Sequence, residues 1–287
     1  MTTPNPLSIA VHGAAGRMGR RVVALVMQDP ATQLAAAIDA ASHPLLGQDA
    51  GAVAGESSAG ITIRDDWAGD ADTVIDFSLP SAIDACIQQC MQHRQSLVVA
   101  TTGLSSQQKT NLESAAREIP IVWAPSMSLA VNLTMKITQQ ISRTLRDVEG
   151  GVDVEIIERH HRFKADAPSG TALRFGELVA GQLNARNGDD GGDDGQPRRE
   201  VQHVHGRHGE TGQRTRDEIG YHAVRVGDDP GRHTIVFGMM GEKIELDVSA
   251  SSRDCYASGA ITAAKFLRDK PAGLYNMFDV LGISADD

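Results

Sequence analysis

The first strand and turn of the chain read Ser8-Ile9-Ala10-Val11-His12-Gly13-Ala14-Ala15-Gly16-Arg17-Met18-Gly19. A short run rich in Ile and Val is typical of a buried strand, and the glycines that follow it predict a tight turn. A helical pattern of apolar residues comes next and stops at Asp29-Pro30, and residues 33–38 form a second predicted strand. The chain therefore opens with a strand–turn–helix–strand unit.

The same alternation continues through the first half of the chain. Strands and helices are predicted in turn at 73–77, 81–93, 97–100, 105–118 and 121–124. Repeated alternation of this kind implies a parallel sheet with helices on both faces. We therefore expect an α/β class, with a Rossmann-like dinucleotide-binding domain over residues 1–132, and a long helix over 129–148 that leads away from it.

The pattern changes after Gly150-Gly151, where strands become grouped. Strands are predicted at 152–157, 220–226, 233–237 and 243–250, with one helix at 171–186. This grouping favours a mixed or antiparallel sheet, hence an α+β substrate-binding and oligomerisation domain over residues 133–251. A last helix at 255–267 is expected to return to the first domain, which residues 252–287 complete.

Composition excludes several classes of function. The net charge of -10 disfavours nucleic acid as a partner, although a local cationic pocket can still bind a small anionic substrate. No apolar run approaches the ~20 residues that span a bilayer, and the N-terminus has no secretory pattern. Three cysteines without a Cys-x-x-Cys pair argue against disulfides or a zinc site and favour the cytoplasm.

The acidic, glycine-rich segment 187–195 is predicted to be a solvated loop, and its spacing does not match a calcium-binding EF-hand loop.

The three glycines of the first turn are spaced as G-x-x-G-x-x-G, which differs from the strict dinucleotide pattern because Ala15 and Met18 replace glycines. Such a turn can merely close the chain. Its position between the first strand and the first helix favours pyrophosphate binding, since backbone N–H groups and the helix N-terminus attract phosphate.

Asp39 ends the second predicted strand, where a carboxylate can accept hydrogen bonds from the adenosine ribose hydroxyls. The alternative is an aspartate that only caps a helix or turn. A carboxylate would repel a 2′-phosphate, and Ala40 offers no compensating cation. Arg17 is the nearest basic candidate in the turn. We therefore expect NADH to be favoured over NADPH.

The residues 155–172 carry the densest functional signal, reading Glu-Ile-Ile-Glu-Arg-His-His-Arg-Phe-Lys-Ala-Asp-Ala-Pro-Ser-Gly-Thr-Ala. Cations cluster here in an acidic protein, and a histidine can supply a proton during reduction. The helix that follows begins with Ser169 or Thr171 as its cap, and its free N–H groups can hold a carboxylate. A structural role for the stretch stays open, whereas metal binding is disfavoured because no Cys or carboxylate cluster supports the adjacent histidines.

At these residues the chain resembles the 4-hydroxy-tetrahydrodipicolinate reductase family, also called dihydrodipicolinate reductase, of lysine and diaminopimelate synthesis. The resemblance covers nearly the whole chain. It rests on the Gly13–Gly19 turn, the segments 74–78, 101–103, 128–132 and 250–253, and above all the motif 155–172.

The resemblance also implies roles for individual residues. His160 would donate the proton, and Lys164 would be a second acid or a cation that polarises the substrate. The carboxylates of a small cyclic dicarboxylate substrate would be bound by His161, Gly170 and Thr171. The pyrophosphate would be held by Gly13, Ala14, Ala15, Gly16, Arg17 and Met18, with Asp39 at the ribose. The nicotinamide would be lined by Ala100, Thr101, Thr102, Ala124, Pro125, Ser126 and Met127. A homotetramer built through the second domain's sheet would be the assembly.

The chain departs from the family pattern at a few positions. Ala100 stands where the family usually has glycine, and residues 124–127 differ from the usual Ala-Ala-Asn-Phe, with Pro125 removing a backbone donor. Two other classes remain as alternatives. A semialdehyde dehydrogenase would need a nucleophilic cysteine in a loop, whereas Cys86, Cys90 and Cys255 fall on predicted helices. A dinucleotide sensor without turnover would not need the cluster around His160.

Overall fold

The computed structural model describes residues 5–67, 71–184 and 201–283. The chain divides into two compact units, Met1–Leu129 with Ser252–Asp287, and Ala130–Ser251. The predicted acidic loop at 187–195 lies outside the described residues.

The first half of the chain alternates between strands and helices. Its elements are β1 Leu7–His12, α1 Arg17–Gln28, β2 Thr32–Ile38, α2 Ala50–Ala54, β3 Ile63–Arg64, β4 Thr73–Asp76, α3 Ile83–His93, β5 Ser96–Val99, α4 Ser106–Ala115 and β6 Pro120–Trp123. The second half has grouped strands. Its elements are α5 Leu129–Leu145, β7 Asp153–His160, α6 Gly170–Leu183, β8 Gln202–His205, β9 Glu218–Arg225, β10 Arg232–Met239, β11 Glu242–Ser249, α7 Asp254–Leu267, β12 Gly273–Tyr275 and α8 Met277–Val280.

The first unit is built on a parallel sheet of seven strands in the order β12-β6-β5-β4-β1-β2-β3. Its strands are apolar on both faces, as parallel strands covered by helices must be. All six residues of β1 are buried: Ile9 and Val11 join the core that contains α1 and α7, while Ala10 joins the core that contains α3 and α4. The predicted Rossmann-like class is confirmed.

The order of these strands reverses at β1, in the interior of the sheet. The chain passes from β1 to β2 and β3 on one side, and then returns to β4 on the other side of β1. The loops that follow β1 and β4 therefore lead away from each other. Open α/β sheets bind their ligands beside such a reversal, at the carboxyl ends of the strands.

The second unit contains a mixed sheet in the order β11-β10-β7-β9-β8, which confirms the predicted mixed sheet. β10 runs antiparallel to β7 and β11, whereas β7, β9 and β8 are parallel. α6 packs against β7 and β9. Burial alternates along β7, so that Val154, Ile156, Glu158 and His160 are buried while Ile157 on the other face is 41% exposed.

Some boundaries differ from the sequence-based expectations. β7 extends to His160 rather than ending at Ile157, because His160 still pairs with Arg225 of β9. α5 ends at Leu145 rather than Val148, and the predicted end of α6 at Arg186 lies outside the described residues. The missed strands β3, β12 and β8 have only two, three and four residues, too few to show a clear period.

Among the described residues, no helix combines the length and the apolar character needed to cross a bilayer.

Candidate active site

The glycine-rich turn joins β1 to α1 in the first unit. Gly13 has φ +79°, and a Cβ added there would lie 2.7 Å from the carbonyl oxygen of Phe77. A Cβ on Gly19 would overlap the carbonyl oxygen of Gly13. Glycine is therefore required at both positions, at the first by the left-handed backbone and at the second by the close packing of α1 on the turn.

The start of α1 is open to an anion. Its N-cap residue, Gly16, has no side chain to satisfy the N–H groups of the first turn. These N–H groups, together with the partial positive charge of the helix, form the kind of site that binds a phosphate.

Asp39 follows β2 and reaches back to the glycine-rich turn. Its Oδ2 accepts a hydrogen bond from the Ala15 N–H at 2.8 Å, and its Oδ1 accepts one from the Ala40 N–H at 2.8 Å. Both oxygens keep a lone pair for a further donor. The carboxylate therefore stabilises the turn, and it can still accept hydroxyl donors from a ribose.

The residues expected to line the nicotinamide, 100–102 and 124–127, directly follow β5 and β6. Because the carboxyl ends of parallel strands share one edge, these residues lie at the same edge as the turn and Asp39. Thr102 and Pro125 are exposed, whereas Thr101 is 4% exposed. Met127 is 1% exposed and belongs, with Ala124, to the hydrophobic core, so its side chain mainly fills space.

A buried carboxylate at this edge was not assigned a role from the sequence. Asp76, the last residue of β4, is fully buried. Its Oδ1 bonds with His12 Nδ1 at 2.7 Å and accepts from Ser78 Oγ at 2.6 Å, and its Oδ2 accepts from Thr101 Oγ1 at 2.6 Å. Asp76 thus joins the ends of β1, β4 and β5 and fixes the orientation of Thr101. The signal available in the sequence was a polar residue closing an otherwise apolar strand.

Potential metal ligands in the described residues also occur beside Asp76. Ligand atoms of His12, Asp76 and Cys86 lie within 4.8 Å of one another. Hydrogen bonds already engage both oxygens of Asp76, and burial raises the pKa of the Cys86 thiol well above its ordinary value. We therefore interpret the group as a hydrogen-bonded cluster rather than a metal centre.

The three cysteines do not have the environment of a nucleophile. Cys86 and Cys90 lie on α3 and are fully buried, and Cys255 lies in the first turn of α7. Burial raises the pKa of Cys86 and of Cys255. A reactive cysteine needs a lowered pKa, so the environment disfavours the semialdehyde dehydrogenase alternative.

In the second unit, His160 ends β7 on the buried face of the sheet. Its Nδ1 lies 2.6 Å from Oε2 of Glu158, and the exposed fractions of the two side chains are 10% and 1%. Residues two apart on a strand share a face, so the local structure alone brings Glu158 beside His160. His161 lies just beyond the strand, and its ring packs against Phe163.

Glu158 is the centre of a buried polar cluster. It also accepts two hydrogen bonds from the Arg225 guanidinium, at 2.8 and 2.7 Å, and one from the Ser169 N–H at 3.0 Å. Ser169 Oγ lies 3.1 Å from Nε2 of the buried His233. Arg225 and His233 come from β9 and β10, and sequence reasoning gave neither a role.

Lys164 lies in the loop after β7 and is partly exposed. Its Nζ forms an ion pair with Asp166 Oδ1 at 2.9 Å. Burial raises the pKa of Asp166, but the hydrogen bond from Lys164, a backbone hydrogen bond and the charges of Lys164 and Arg225 together outweigh burial, so that the pKa is lowered. The ammonium group is therefore held by a carboxylate that remains ionised at neutral pH.

Of the two expected caps, Ser169 is the N-cap of α6, and its hydroxyl accepts a hydrogen bond from the Ala172 N–H at 3.2 Å. Gly170 and Thr171 begin the helix on the side where its N–H groups can bind an anion. Lys164 adds a positive charge in the same loop, so this segment has the charge and the donors to hold a carboxylate.

The cluster sets the protonation of its histidines. Burial lowers the pKa of His160, Glu158 opposes this effect, and the charges of Lys164 and Arg225 reinforce it. Burial and the charge of His160 lower the pKa of His233 to about 4. His233 is therefore neutral at neutral pH.

Comparisons with known protein families give matches to two family models. The chain matches the family models described as dihydrodipicolinate reductase, N-terminus, over residues 7–127 and dihydrodipicolinate reductase, C-terminus, over residues 130–281.

Two relatives are named 4-hydroxy-tetrahydrodipicolinate reductase. The protein from Rhodopirellula baltica is 63% identical over 97% of this chain and 97% of its own length. The protein from Burkholderia vietnamiensis is 45% identical over 96% of this chain and 100% of its own length. A dipicolinate-bound dihydrodipicolinate reductase from Paenisporosarcina sp. TG-14 has a similar fold, with a TM-score of 0.68 at 21% identity over 96% of this chain and 98% of that one. Because the family models together cover most of the sequence and the identity is high, the chain belongs to the dihydrodipicolinate reductase family.

Proposed function

We propose that the chain catalyses the NAD(P)H-dependent reduction of 4-hydroxy-tetrahydrodipicolinate, through dihydrodipicolinate, to tetrahydrodipicolinate in lysine and diaminopimelate biosynthesis. The observation that carries the proposal is the segment from His160 to Thr171 in a member of this family. It combines a buried histidine, a loop ammonium group and an open helix start.

The first unit would bind the cofactor. The turn at Gly13–Met18 would place the pyrophosphate at the start of α1, where the N-cap residue Gly16 makes no side-chain hydrogen bond to the N–H groups of the first helical turn. When bound, reduced nicotinamide supplies a hydride. Thr101, which Asp76 holds in place, and its neighbours Ala100 and Thr102 would orient the nicotinamide ring.

The second unit would bind the substrate and supply the proton. The N–H groups of Gly170 and Thr171 would bind one carboxylate, and Lys164 and His161 would attract the dicarboxylate. Hydride addition to the conjugated imine places negative charge on another carbon. His160 would then donate the proton from Nε2, and general acid catalysis of this kind contributes about 10²- to 10⁴-fold to the rate.

The cofactor preference would follow from Asp39. Its carboxylate lies at the end of β2, fixed by the Ala15 N–H, and would accept ribose hydroxyls. A 2′-phosphate beside this carboxylate would be repelled. We therefore propose that NADH is favoured, with NADPH as the weaker substrate.

The assembly would be a homotetramer in the cytoplasm. The face of the second sheet opposite α6 carries Ile157 and Val224, which are 41% and 43% exposed. Burying such side chains against another copy of the chain is favourable. Light scattering of the purified protein tests this, and Ile157→Lys should lower the measured mass if copies meet at this face.

The test of the function is an assay with the coupled product of the synthase that precedes this step. The purified chain should oxidise NADH only when that product is supplied. His160→Gln should mainly lower kcat, Lys164→Ala should also raise KM, and the exposed His208→Gln serves as the control. Absence of NADH oxidation by a folded, dinucleotide-binding protein would favour the sensor alternative. Near-normal kcat in His160→Gln would exclude it as the main acid.

A further inference from the structure

We propose that Glu158 is a positioning residue, which holds the proton of His160 on Nδ1, leaves Nε2 to carry the transferable proton, and fixes the start of α6 with the same carboxylate. The role rests on the proposed function, since it assigns a task to the side chain that supports the proposed acid.

The first argument is the number of donors around one carboxylate. Oε2 is 2.6 Å from His160 Nδ1 and accepts from Arg225 Nη1 at 2.8 Å. Oε1 accepts from Arg225 Nη2 at 2.7 Å and from the Ser169 N–H at 3.0 Å. Four contacts occupy the four lone-pair positions of an ionised carboxylate, which has no proton to give. The Nδ1 of His160 must therefore be the donor.

The ionisation state supports this assignment. Burial raises the pKa of Glu158, but the hydrogen bonds from Arg225, His160 and the Ser169 N–H and the charge of His160 together outweigh burial, and the net pKa is lowered. A carboxylate that is 1% exposed and ionised is costly to bury unless it is fully paired. Glu158 is fully paired, so it remains an acceptor while His160 changes its charge.

The second argument concerns the other ring nitrogen. Nε2 faces Gly231 of the β9–β10 connection, where a Cβ would lie only 2.9 Å away. With Nδ1 fixed by Glu158, the proton that leaves the imidazolium comes from Nε2. The neutral ring that remains keeps its Nδ1–H bonded to the Glu158 carboxylate. The same hydrogen bond is therefore made by the imidazolium and by the neutral imidazole.

The charged groups around His160 come from several elements. Arg225 lies on β9, His233 on β10, Lys164 in the loop after β7, and Asp229 before β10. Lys164 and Arg225 disfavour the imidazolium, as burial does, and Glu158 is the carboxylate in direct contact that favours it. Removing this charge must lower the pKa of His160 further.

The third argument links the acid to the helix start. Ser169 donates its N–H to Glu158 and caps α6 with its hydroxyl. One carboxylate therefore fixes both the imidazole and the helix start that we propose to hold a substrate carboxylate. Loss of Glu158 should affect kcat more than KM, because the helix keeps its Ser169 cap.

Glu158→Gln is the informative variant, because it keeps the shape and removes the charge. Glu177→Gln on α6 is the matched control, since its side chain is 61% exposed and pairs only with Arg174 among the described side chains. We expect Glu158→Gln to lower kcat at neutral pH by roughly 10²-fold. The high-pH limb of its kcat profile should move to lower pH, with dinucleotide affinity unchanged, while Glu177→Gln should match the parent protein.

A spectroscopic measurement on the unsubstituted protein keeps the inference testable if the variant does not fold. The nitrogen chemical shifts of isotope-labelled His160 should show the Nδ1–H tautomer above its pKa. A dominant Nε2–H tautomer would overturn the inference. The inference would also be overturned if Glu158→Gln folds and both its kcat–pH profile and the tautomer of its His160 match those of the parent protein, whatever the value of kcat. Failure of the parent protein to reduce the substrate would instead count against the proposed function.

Discussion

Gly231 lies against the imidazole of His160, so that a Cβ built at Gly231 would come within 2.9 Å of Nε2. The residue also has φ +142°, a conformation that residues with a Cβ rarely adopt. Its N–H donates to Asp229 and its carbonyl accepts from the Ala250 N–H, which hold the backbone in place. The ring of His160 would therefore have to move to accommodate any side chain at Gly231.

Gly231→Ala is expected to lower kcat by roughly 10- to 100-fold, since small displacements of a catalytic group have effects of this size. Steady-state kinetics provide the measurement. Gly241→Ala is the matched control, because Gly241 also has positive φ, +90°, but no atom within 4 Å of an added Cβ. Equal kinetics for the two variants would show that the contact with His160 has no effect on the reaction.

Asp76→Asn is expected to destabilise the first unit by about 1–3 kcal/mol, because an amide nitrogen replaces one acceptor in a buried cluster. The freed Thr101 should also weaken dinucleotide binding several-fold. Denaturant unfolding and NADH fluorescence titration measure the two effects, with the exposed Asp269→Asn as the control. An unaltered dinucleotide Kd would mean that the orientation of Thr101 is not important for binding.

Asp39→Asn is expected to reduce the preference for NADH, because the amide removes the repulsion of a 2′-phosphate and still has an oxygen for the Ala15 N–H. The ratio of kcat/KM for NADH to that for NADPH should fall by about 10-fold, equivalent to about 1.4 kcal/mol. A parent protein that already uses NADPH better would contradict the proposed preference before any substitution is made.

The buried His233 is expected to make stability depend on pH. Its pKa is lowered from 6.5 to about 4 by burial, so the unfolded chain binds the proton more readily. Stability should be greatest above about pH 6.5 and should fall as the pH decreases towards 4, by about 1.4 kcal/mol per unit at most. Urea unfolding of His233→Gln should show a flatter dependence over this window. Equal slopes for the two proteins would exclude His233 as the cause.

The sequence predicted the fold class, the glycine-rich turn of the first candidate site, and the acid, cation and helix cap of the second. The glycines from Gly13 to Gly19 and the alternation of strand and helix were enough for a Rossmann-like sheet, because both depend on short-range pattern. His160, Lys164 and the cap at Ser169 are adjacent in the chain, so their chemistry could be inferred together. The pair Glu158 and His160 could also have been found, since residues two apart on a strand share a face.

The long-range contacts of the supporting residues could be found only in the tertiary structure. Asp76 meets His12 and Thr101 across separations of 64 and 25 residues, and Glu158 meets Arg225 across 67. These contacts depend on which strands are neighbours and on their register, and a shift of one residue would point Arg225 to the opposite face. The sequence alone therefore determined which residues could act as acid, cation and anion-binding helix start. Strand order and register decided which residues complete the cluster, namely Arg225 at Glu158 and His233 at Ser169, because those contacts join segments that are distant in the chain.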